Sequence, residues 1–508
     1  MKFPTSPKSL YRTALLITCM LLAFSSCKKL VEIDEPRKTV TTTDVFSTNQ
    51  QAAGVIAGMY SQMMTNNSSL VFSNGATTMY GGLSSDELVS LSGIATITDY
   101  QFESNTLRQD NATVDTYLWK TAYQVINTAN NILEGVAASQ SSLLTDSARK
   151  QLNGEAKFVR AFSYFYLTNF YGNVPLALSA DFNQTSRLSN AAQSDIYKQI
   201  TADLTDAQTL LPTDYKVSGG EKIRANKWAA TALLARAYLY QKDWKNAEAQ
   251  ATAIITSGQF SLVNDLTGVF NKNSTEAIFQ LQQNISVAPY GATFEGRSFI
   301  PSIILNTYAA KDQASILNPA TFVTYAPFII PKYYLSPALV SAFEPNDKRR
   351  ATWINYSPTA NVAPFNGQTV YWPYKYTSTS PSTTVAPTQY YMVLRLAEQY
   401  LIRAEARAQQ NDLNGAAADI NLIRLRAGLT PVTTTTQADM LNAVAHERQV
   451  ELFAEWAHRW FDLKRWGTAQ SVLSGISYKQ NFNPTQLVYP IPQNELTADA
   501  FLKQNPGY

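Results

Sequence analysis

Two segments of the chain, 169 positions apart, carry mostly small or apolar residues at the same spacing. In the first segment these residues are Ala235, Tyr238, Ala247, Ala251 and Ile254. In the second they are Ala404, Arg407, Ala416, Ile420 and Ile423. The spacing fits a helix–turn–helix repeat of about 34 residues, the tetratricopeptide pattern, in which small residues let two helices pack closely. Each segment therefore predicts a helical hairpin, with two unrelated alanine-rich hairpins as the alternative.

A hairpin of this kind needs neighbours, because about three repeats are required to bury a continuous core. Helical patterns at 123–133, 148–170 and 196–211 supply further helices. Between the two blocks, residues 265–390 are rich in Pro, Thr, Asn, Ser and aromatics with little helical period, which favours loops and short strands; Glu276–Gln282 is the clearest strand. The predicted fold is mainly α, a tetratricopeptide-like helical-hairpin scaffold with a large loop-rich insertion containing short strands.

The first 26 residues have the pattern of an export signal. A basic region with Lys2, Lys8 and Arg12 precedes the apolar run 14–24, which suits a signal peptide and is shorter than the about 20 residues that span a membrane. The run ends in small residues before Cys27, which resembles a bacterial lipobox and predicts acylation of Cys27. Ordinary secretion, with Cys27 incidental, is the alternative.

These patterns divide the chain into five regions. We expect a lipoprotein signal peptide at 1–26, a lipid-anchored tether at 27–45, an N-terminal helical region at 46–265, the insertion with the ligand face at 266–390, and a C-terminal helical region at 391–508. No later run approaches 18 apolar residues, so contact with the membrane is expected through the lipid anchor alone.

Charge and residue inventory exclude several classes of function. The chain has 41 basic and 38 acidic residues, and three of the basic ones lie in the acid-free signal peptide, which leaves 38 − 38 = 0 for the rest. A neutral body lacks the positive surface that nucleic-acid binding requires. With two cysteines near the N-terminus and two histidines, thiolate zinc sites and Cys/His catalysis are excluded, and no cofactor is expected. A structural calcium site built from carboxylates stays open.

Two histidine motifs are incomplete. His446-Glu447 starts a zinc-protease motif but has valine at position 450, and Glu455-x-x-His458 is half of a di-iron signature that needs another histidine. We therefore predict no catalytic or metal-binding residues. Acidic and basic residues at a spacing of four instead predict one charged helix face in a structural ion-pair network, with these members: Glu447, Glu451, Glu455 and Arg459, joined by Arg448, Asp462 and Arg465. Among 38 acids, a carboxylate pair for glycoside hydrolysis stays open.

The most distinctive string is an aromatic helix at 152–171. Phe158, Phe162 and Phe165 recur at helical spacing, and Tyr and Leu between them make the helix apolar almost all round, which indicates a buried core element. Gly172 and Pro175 are placed to end it.

This string resembles the SusD/RagB family of outer-membrane nutrient-binding lipoproteins, whose helix closes in Tyr-Gly-Asp-Val-Pro where this chain has Asn173. The resemblance spans Cys27 to Tyr508. Its further matches are, in order, Gly82–Glu87, Trp119 with Asn127 and Asn130, Phe343–Arg350, Arg395–Ala406, Asn421–Gly428, Glu447–Glu455, Arg459–Gly467, Tyr489–Pro492 and Gln504–Tyr508.

The resemblance implies the fold predicted above and a non-catalytic role. Such a protein binds an oligosaccharide or polysaccharide at the cell surface, sits on a TonB-dependent outer-membrane transporter of the SusC type, and passes ligand into it. Two alternatives are a secreted lipoprotein glycoside hydrolase and a tetratricopeptide scaffold that binds an envelope protein.

Ligand contacts are expected from aromatic side chains outside the helical scaffold. Sugar rings pack their C–H faces on aromatic rings, while their hydroxyls bond to amides and charged groups. No family motif assigns these contacts, so the candidates rest on residue type and region: Tyr80, Tyr290, Tyr308, Tyr325, Trp353, Tyr371, Trp372 and Tyr374.

Overall fold

The computed structural model describes residues 45–65, 70–91, 96–283, 285–286, 290–378, 384–480 and 482–508. Residues 46–508 form one compact unit. The predicted signal peptide, Cys27 and the tether up to residue 44 lie outside the described residues.

Helices dominate the regular structure. Over the described residues the α-helices are α1 Asn49–Met64, α2 Ala76–Ser84, α3 Ile97–Glu103, α4 Lys120–Ala138, α5 Asp146–Tyr171, α6 Phe182–Thr185, α7 Gln193–Leu210, α8 Lys227–Tyr240, α9 Trp244–Ile255, α10 Phe294–Phe299, α11 Ala310–Ile316, α12 Pro319–Ile329, α13 Pro337–Ala342, α14 Lys348–Trp353, α15 Leu396–Gln409, α16 Leu413–Arg426, α17 Gln437–Glu451, α18 His458–Trp466, α19 Ala469–Leu473 and α20 Gln493–Ala498. A π-helical turn, Val114–Trp119, leads into α4.

The strands are short. They are β1 Leu88–Ser90, β2 Val174–Pro175, β3 Asn190–Ala191, β4 Ala277–Leu281, β5 Tyr333–Leu335, β6 Ile354–Ser357, β7 Val370–Pro373 and β8 Tyr391–Arg395. Within the described ranges they form antiparallel pairs, β1 with β5, β2 with β3, β4 with β8 and β6 with β7. The strand predicted at Glu276–Gln282 is confirmed as β4, and its pairing with β8 joins the start of the insertion to the end.

The scaffold is a continuous stack of helices. α4 packs on α5, α5 on α7, α7 on α8, α8 on α9, and α9 on α15, which also contacts α16 and α17. The two predicted hairpins are α8–α9 and α15–α16. Ala235, Ala247 and Ala251 share one buried cluster with Ile402 and Ala406, so the hairpins pack directly on each other. The predicted mainly-α hairpin scaffold is confirmed.

Both hairpins use the same turn. Lys242 and Asn411 adopt positive φ values of 60° and 64°, and each is followed by an aspartate that caps the next helix. The carboxylate of Asp243 accepts the backbone N–H of Asn246, and that of Asp412 accepts the N–H of Gly415. The caps satisfy amide groups that a helix start leaves unpaired, which fixes where α9 and α16 begin.

Helix α5 is the central core element, as its aromatic pattern predicts. Every residue from 158 to 171 is buried. The ring of Phe162 lies 5.4 Å from that of Trp456, and the ring of Tyr166 lies 5.3 Å from the same tryptophan. Gly172 ends the helix with φ +72°, a conformation that a side chain would strain.

The insertion contains more helix than the sequence pattern predicts. Helices α10 to α14 all lie between residues 294 and 353. The expectation of loops and short strands alone is therefore wrong for this segment. These helices have 6 to 11 residues, so each completes too few turns to show a helical period against the surrounding Pro and Asn.

Candidate functional site

One hydrophobic cluster organises the insertion. It joins Leu305 of the 3₁₀ turn Leu305–Thr307, Phe322 and Ile329 of α12, and Val370 of β7. These elements are distant in sequence, and their shared core places the polar and aromatic side chains that they carry on one part of the surface.

The hairpin of β6 and β7 presents two tyrosines outward. Tyr356 pairs with Tyr371 in the strand register, so both side chains point to the same face, and their ring centroids lie 6.3 Å apart at 52°. Tyr356 is 45% exposed. The neighbouring residues point inward: Trp372 is buried and its indole N–H donates to Ser357 Oγ at 3.2 Å. The buried face holds the hairpin, and the tyrosines are left available to solvent.

A cation extends this tyrosine pair. The exposed guanidinium of Arg350, from α14, lies 5.8 Å from the ring centroid of Tyr371. Contact with a ring face orients the guanidinium, which presents several N–H donors in a fixed plane. We call the surface formed by Tyr356, Tyr371 and Arg350 the platform.

The 3₁₀ turn is fastened to the edge of the platform. Asn306 Nδ2 donates to Asn355 Oδ1 at 2.7 Å, which ties the turn to β6. Tyr308 follows two residues later and is 45% exposed. The predicted residues Tyr308 and Tyr371 therefore lie on elements in direct contact. The sequence analysis missed Tyr356 and Arg350.

Helix α12 adds an apolar surface beside these elements. Val323, Tyr325 and Phe328 are all exposed, while Phe322 and Ile329 turn into the cluster. The predicted residue Tyr325 thus lies on an element that shares a core with β7.

Three predicted residues are buried, and for them the expectation of exposed loop positions is wrong. Tyr80 lies inside α2, where its ring packs 4.6 Å from that of Phe102. Trp353 ends α14 and donates its indole N–H to the carbonyl of Leu266 at 3.0 Å. Trp372 is fully buried behind the platform. For Tyr80 and Trp353, the partner that covers the ring comes from another part of the chain.

Two predicted residues are half-buried. Tyr374 packs edge-on against Trp372, with centroids 5.4 Å apart, behind the platform. Tyr290 lies before α10 with a positive φ of 59°. Neither residue contributes to the platform.

A buried ion-pair network lies between the insertion and the C-terminal helices. Glu451 accepts hydrogen bonds from three guanidiniums, those of Arg349, Arg395 and Arg426. Burial opposes ionisation of Glu451, but Arg426, Arg395 and Arg349 together hold its pKa well below the usual range. Further contacts of the network are Arg349 with Asp347 and Glu447, Arg395 with Glu276 and Glu455, Arg426 with Glu276, and Lys375 with Glu455.

The network confirms part of the predicted charged face. Arg448 bonds to Asp462 and Arg465 to Asp462 and Glu405, as expected of a structural role. The expectation of one continuous face from Glu447 to Arg459 is wrong, because α17 ends at Glu451. Residues 454, 456 and 457 adopt positive φ values, and Arg459 turns away to pair with Asp86.

The histidines have structural surroundings. His458 is buried, and desolvation, with nearby Arg236, holds its pKa well below its ordinary value. The carboxylate of Glu455 forms salt bridges with Arg395 and Lys375. Among the described residues, no three His, Cys, Asp or Glu side chains are grouped to hold a metal ion.

Comparison with protein families identifies the chain. A model described as the SusD family matches residues 283–508, and one described as "Starch-binding associating with outer membrane" matches residues 34–239. The chain belongs to the SusD/RagB family. The two matches lie on either side of the start of the insertion, and the second includes the whole α15–α16 hairpin, so the family assignment does not rest on the aromatic helix alone.

Individual relatives agree with this assignment over nearly the whole chain. A SusD-like protein of Formosa agariphila is 26% identical over 97% of this chain and 99% of its own length. A SusD superfamily protein of Bacteroides vulgatus shares the fold, with a TM-score of 0.72 at 20% identity over 91% of this chain and 100% of the other. A laminarin-binding SusD-like protein also shares the fold, with a TM-score of 0.71 at 24% identity over 91% of this chain and 100% of the other.

Among the described residues, none of the helices combines the length and the apolar character that a membrane-spanning helix needs.

Proposed function

We propose that this SusD-family protein is a cell-surface lipoprotein that binds a glycan and delivers it to a TonB-dependent outer-membrane transporter of the SusC type. The observation that carries the proposal is the platform, where two outward tyrosines lie on a hairpin held by its own core and the guanidinium of Arg350 from α14 lies beside them. The family description as starch-binding and the laminarin-binding protein of the same fold support a saccharide as the ligand.

The chemistry of the platform suits a sugar chain. The C–H face of a pyranose packs on the exposed ring of Tyr356 and the half-buried ring of Tyr371, and the guanidinium of Arg350 donates to sugar hydroxyls. Tyr308 supplies another ring next to the Asn306–Asn355 contact. A flexible, hydrated ligand loses part of this gain on ordering, so we expect a Kd of about 1 mM to 1 μM.

The groups of the platform support binding without cleavage. Glycoside hydrolysis uses two carboxyl groups placed about 5–10 Å apart across the bond. The platform consists of two phenols and a guanidinium, and the adjoining turn offers amides. These groups bind and orient a sugar and provide no acid–base pair.

Attachment to the membrane is proposed through Cys27. An acyl chain on Cys27 would hold the binding unit beside the transporter, and confinement there raises the local ligand concentration at the transporter mouth. The family description supports association with the outer membrane. Cys27→Ser should move the protein from the membrane fraction to the soluble fraction, and unchanged fractionation would contradict the anchor.

The main test is calorimetric titration with a glycan panel that includes laminarin- and starch-derived hexasaccharides. The double variant Tyr356→Ala/Tyr371→Ala should weaken binding at least about tenfold, since about 1.4 kcal/mol is lost with two stacking rings. Phe501→Ala, an aromatic side chain that is 53% exposed on the C-terminal segment, is the matched control and should bind as the wild type does.

Product analysis on the same samples separates the alternatives. New reducing ends would indicate a glycoside hydrolase. No binding across the panel would favour the alternative of a tetratricopeptide scaffold that binds an envelope protein. A pocket of about 500 Å³ between the hairpin turns supports that alternative. That pocket is walled by Trp244 and Trp466 with the amides of Gln409 and Asn442, a surface suited to a peptide.

A further inference from the structure

A second pocket lies on the helical scaffold, outside the insertion. It encloses about 450 Å³ between α4, the segment from Pro175 to Ser186, and α20 with the residues after it. Its walls come from residues 119–130, 175–186 and 495–502, none of which belongs to the insertion that carries the platform. The pocket is therefore a separate feature of the molecule.

Aromatic rings form its apolar side. Trp119 is buried at the base, and the ring of Tyr123 lies 4.9 Å from it. Tyr123 Oη donates to the carbonyl of Pro175 at 2.8 Å, which fixes that ring across the pocket. Phe182 stands at the rim and is 76% exposed, although it begins a short helix capped by Asp181.

The wall that carries Phe182 is held in place by α4. Asn130 Nδ2 donates to the carbonyls of Ala177 and Ser179 at 3.0 and 3.2 Å. Glu134 Oε1 accepts from Ser179 Oγ at 2.7 Å and from the N–H of Ala180 at 2.9 Å. These bonds fix the backbone of residues 177–180, which leads to Phe182, so the pocket is formed in the absence of a ligand.

The polar side of the pocket has a net acidic character. Glu495 and Asp499 line it one helical turn apart. Burial raises the pKa of Glu495, and neighbouring Asp115 adds to the effect. Lys120 also lines the pocket, but its ammonium lies 3.7 Å from Asp115. An acidic ligand would meet this excess of carboxylates, whereas hydroxyl or ammonium groups could donate to it.

We infer that this pocket is a second saccharide-binding site, which takes a neutral or amino-substituted sugar unit with its ring face on Phe182 and its hydroxyls on the carboxylates of Glu495 and Asp499. The inference deepens the proposed function and rests on it. The pocket volume lies within the about 300–1,000 Å³ of small-ligand sites, which combine apolar walls with a few convergent polar groups. Two separate sites would let one protein hold a polysaccharide at two points.

The test is titration of the purified protein with laminarihexaose, maltohexaose, chitosan hexamer and a hexamer of galacturonic acid as probes. The platform double variant Tyr356→Ala/Tyr371→Ala should retain binding of at least one neutral or amino probe. Adding Phe182→Ala should reduce that residual affinity at least about fivefold. Leu425→Ala, an exposed position on α16 outside the three wall segments of the pocket, should leave it unchanged in the same background, and thermal unfolding should not move because Phe182 and Leu425 are both exposed.

Each outcome bears on one of the two proposals. If the wild type binds and the platform variant binds nothing, the second site is wrong and the proposed function stands. If residual binding persists undiminished without Phe182, or the galacturonic acid hexamer is the preferred probe, the assignment of this pocket is also wrong. If the wild type binds no probe, the proposed function itself fails.

Discussion

Replacing Glu451 by glutamine removes one negative charge from the centre of the buried network. Glu451 Oε1 accepts from Arg395 and Arg426, and its Oε2 accepts from Arg349 at 2.9 Å. Glutamine keeps one acceptor oxygen and turns an NH₂ group toward one of the guanidiniums. Arg349 and Arg395 retain other carboxylates, whereas Arg426 is left with Glu276 alone.

The size of the effect follows from these contacts. Losing about two charge-assisted hydrogen bonds at about 1.5–3 kcal/mol each predicts a decrease of about 3–5 kcal/mol in the free energy of unfolding, the range seen when a buried ion pair loses one partner. Unfolding entropy near 2.1 cal/mol/K per residue gives about 1 kcal/mol/K for the unit Phe46–Tyr508. The expected decrease in Tm is therefore about 3–5 °C.

The assay is urea denaturation together with calorimetry, with Glu248→Gln as control. Glu248 pairs with Arg407 at 2.9 Å, but both side chains are part-exposed, so its loss should amount to about 1 kcal/mol or less. Because the native pKa of Glu451 is lowered, its contribution is complete above the unfolded value of 4.5 and disappears as pH falls toward the native pKa. The gap between wild type and Glu451→Gln should narrow in acid. Two results would refute the reasoning. One is a decrease in the free energy of unfolding no larger than that of Glu248→Gln, and the other is a difference between wild type and Glu451→Gln that does not change with pH.

Two further substitutions test other buried features. Gly81→Ala should lower the free energy of unfolding by about 1–3 kcal/mol, because the new methyl group meets Ala457, whose Cα would lie 3.0 Å away. Gly54→Ala, with nothing within 4 Å of its new methyl group, is the control and should be neutral or stabilising in the same urea titration. Equal effects of the two substitutions would contradict the contact with Ala457. Glu87→Gln should stabilise the protein by on the order of 2 kcal/mol at pH 8, because burial, with nearby Asp86, raises the pKa of Glu87 to about 8, and the native state then holds a proton that the unfolded chain releases near 4.5. That gain should grow between pH 4.5 and 8 in pH-dependent denaturation, and a gain independent of pH would speak against it.

The helical scaffold could be predicted because its signals are local and repeated. Ala235 and Ala404 sit in equivalent positions, and the aspartates that cap α9 and α16 follow the same turn. The aromatic periodicity of α5 runs from Phe158 to Tyr171, about four turns of a 26-residue helix, which leaves little ambiguity about burial.

The binding surface was harder to predict because its exposure depends on distant contacts. Trp353 and Tyr356 lie three residues apart, yet the first is covered by Leu266 and the second faces solvent. The alternation that separates Tyr356 from its neighbours covers four residues of β6, too few to recognise in sequence. The pairing of Tyr356 with Tyr371 spans the loop 358–369, which no local sequence pattern describes.

The break between α17 and α18 was missed for a similar reason. Ala454, Trp456 and Ala457 adopt left-handed conformations that usually call for glycine or asparagine. The local sequence pattern therefore predicts that the helix continues past Glu451. Tertiary contacts of Trp456 with Phe162 and Tyr391 stabilise the turn instead.

The sequence separation between Glu451 and its arginine partners also limits the order in which parts of the protein can fold. Its three arginine partners precede it by 102, 56 and 25 residues. A chain still being made, or still crossing a membrane from its N-terminus, carries those arginines without the carboxylate at the centre of their network. Burying them at that stage would leave three guanidiniums to share Asp347 and Glu276, and the excess positive charge is strongly unfavourable in a medium of low polarity. The junction of insertion and scaffold therefore closes late, and non-local closure of this kind makes folding slow relative to the hairpins on either side.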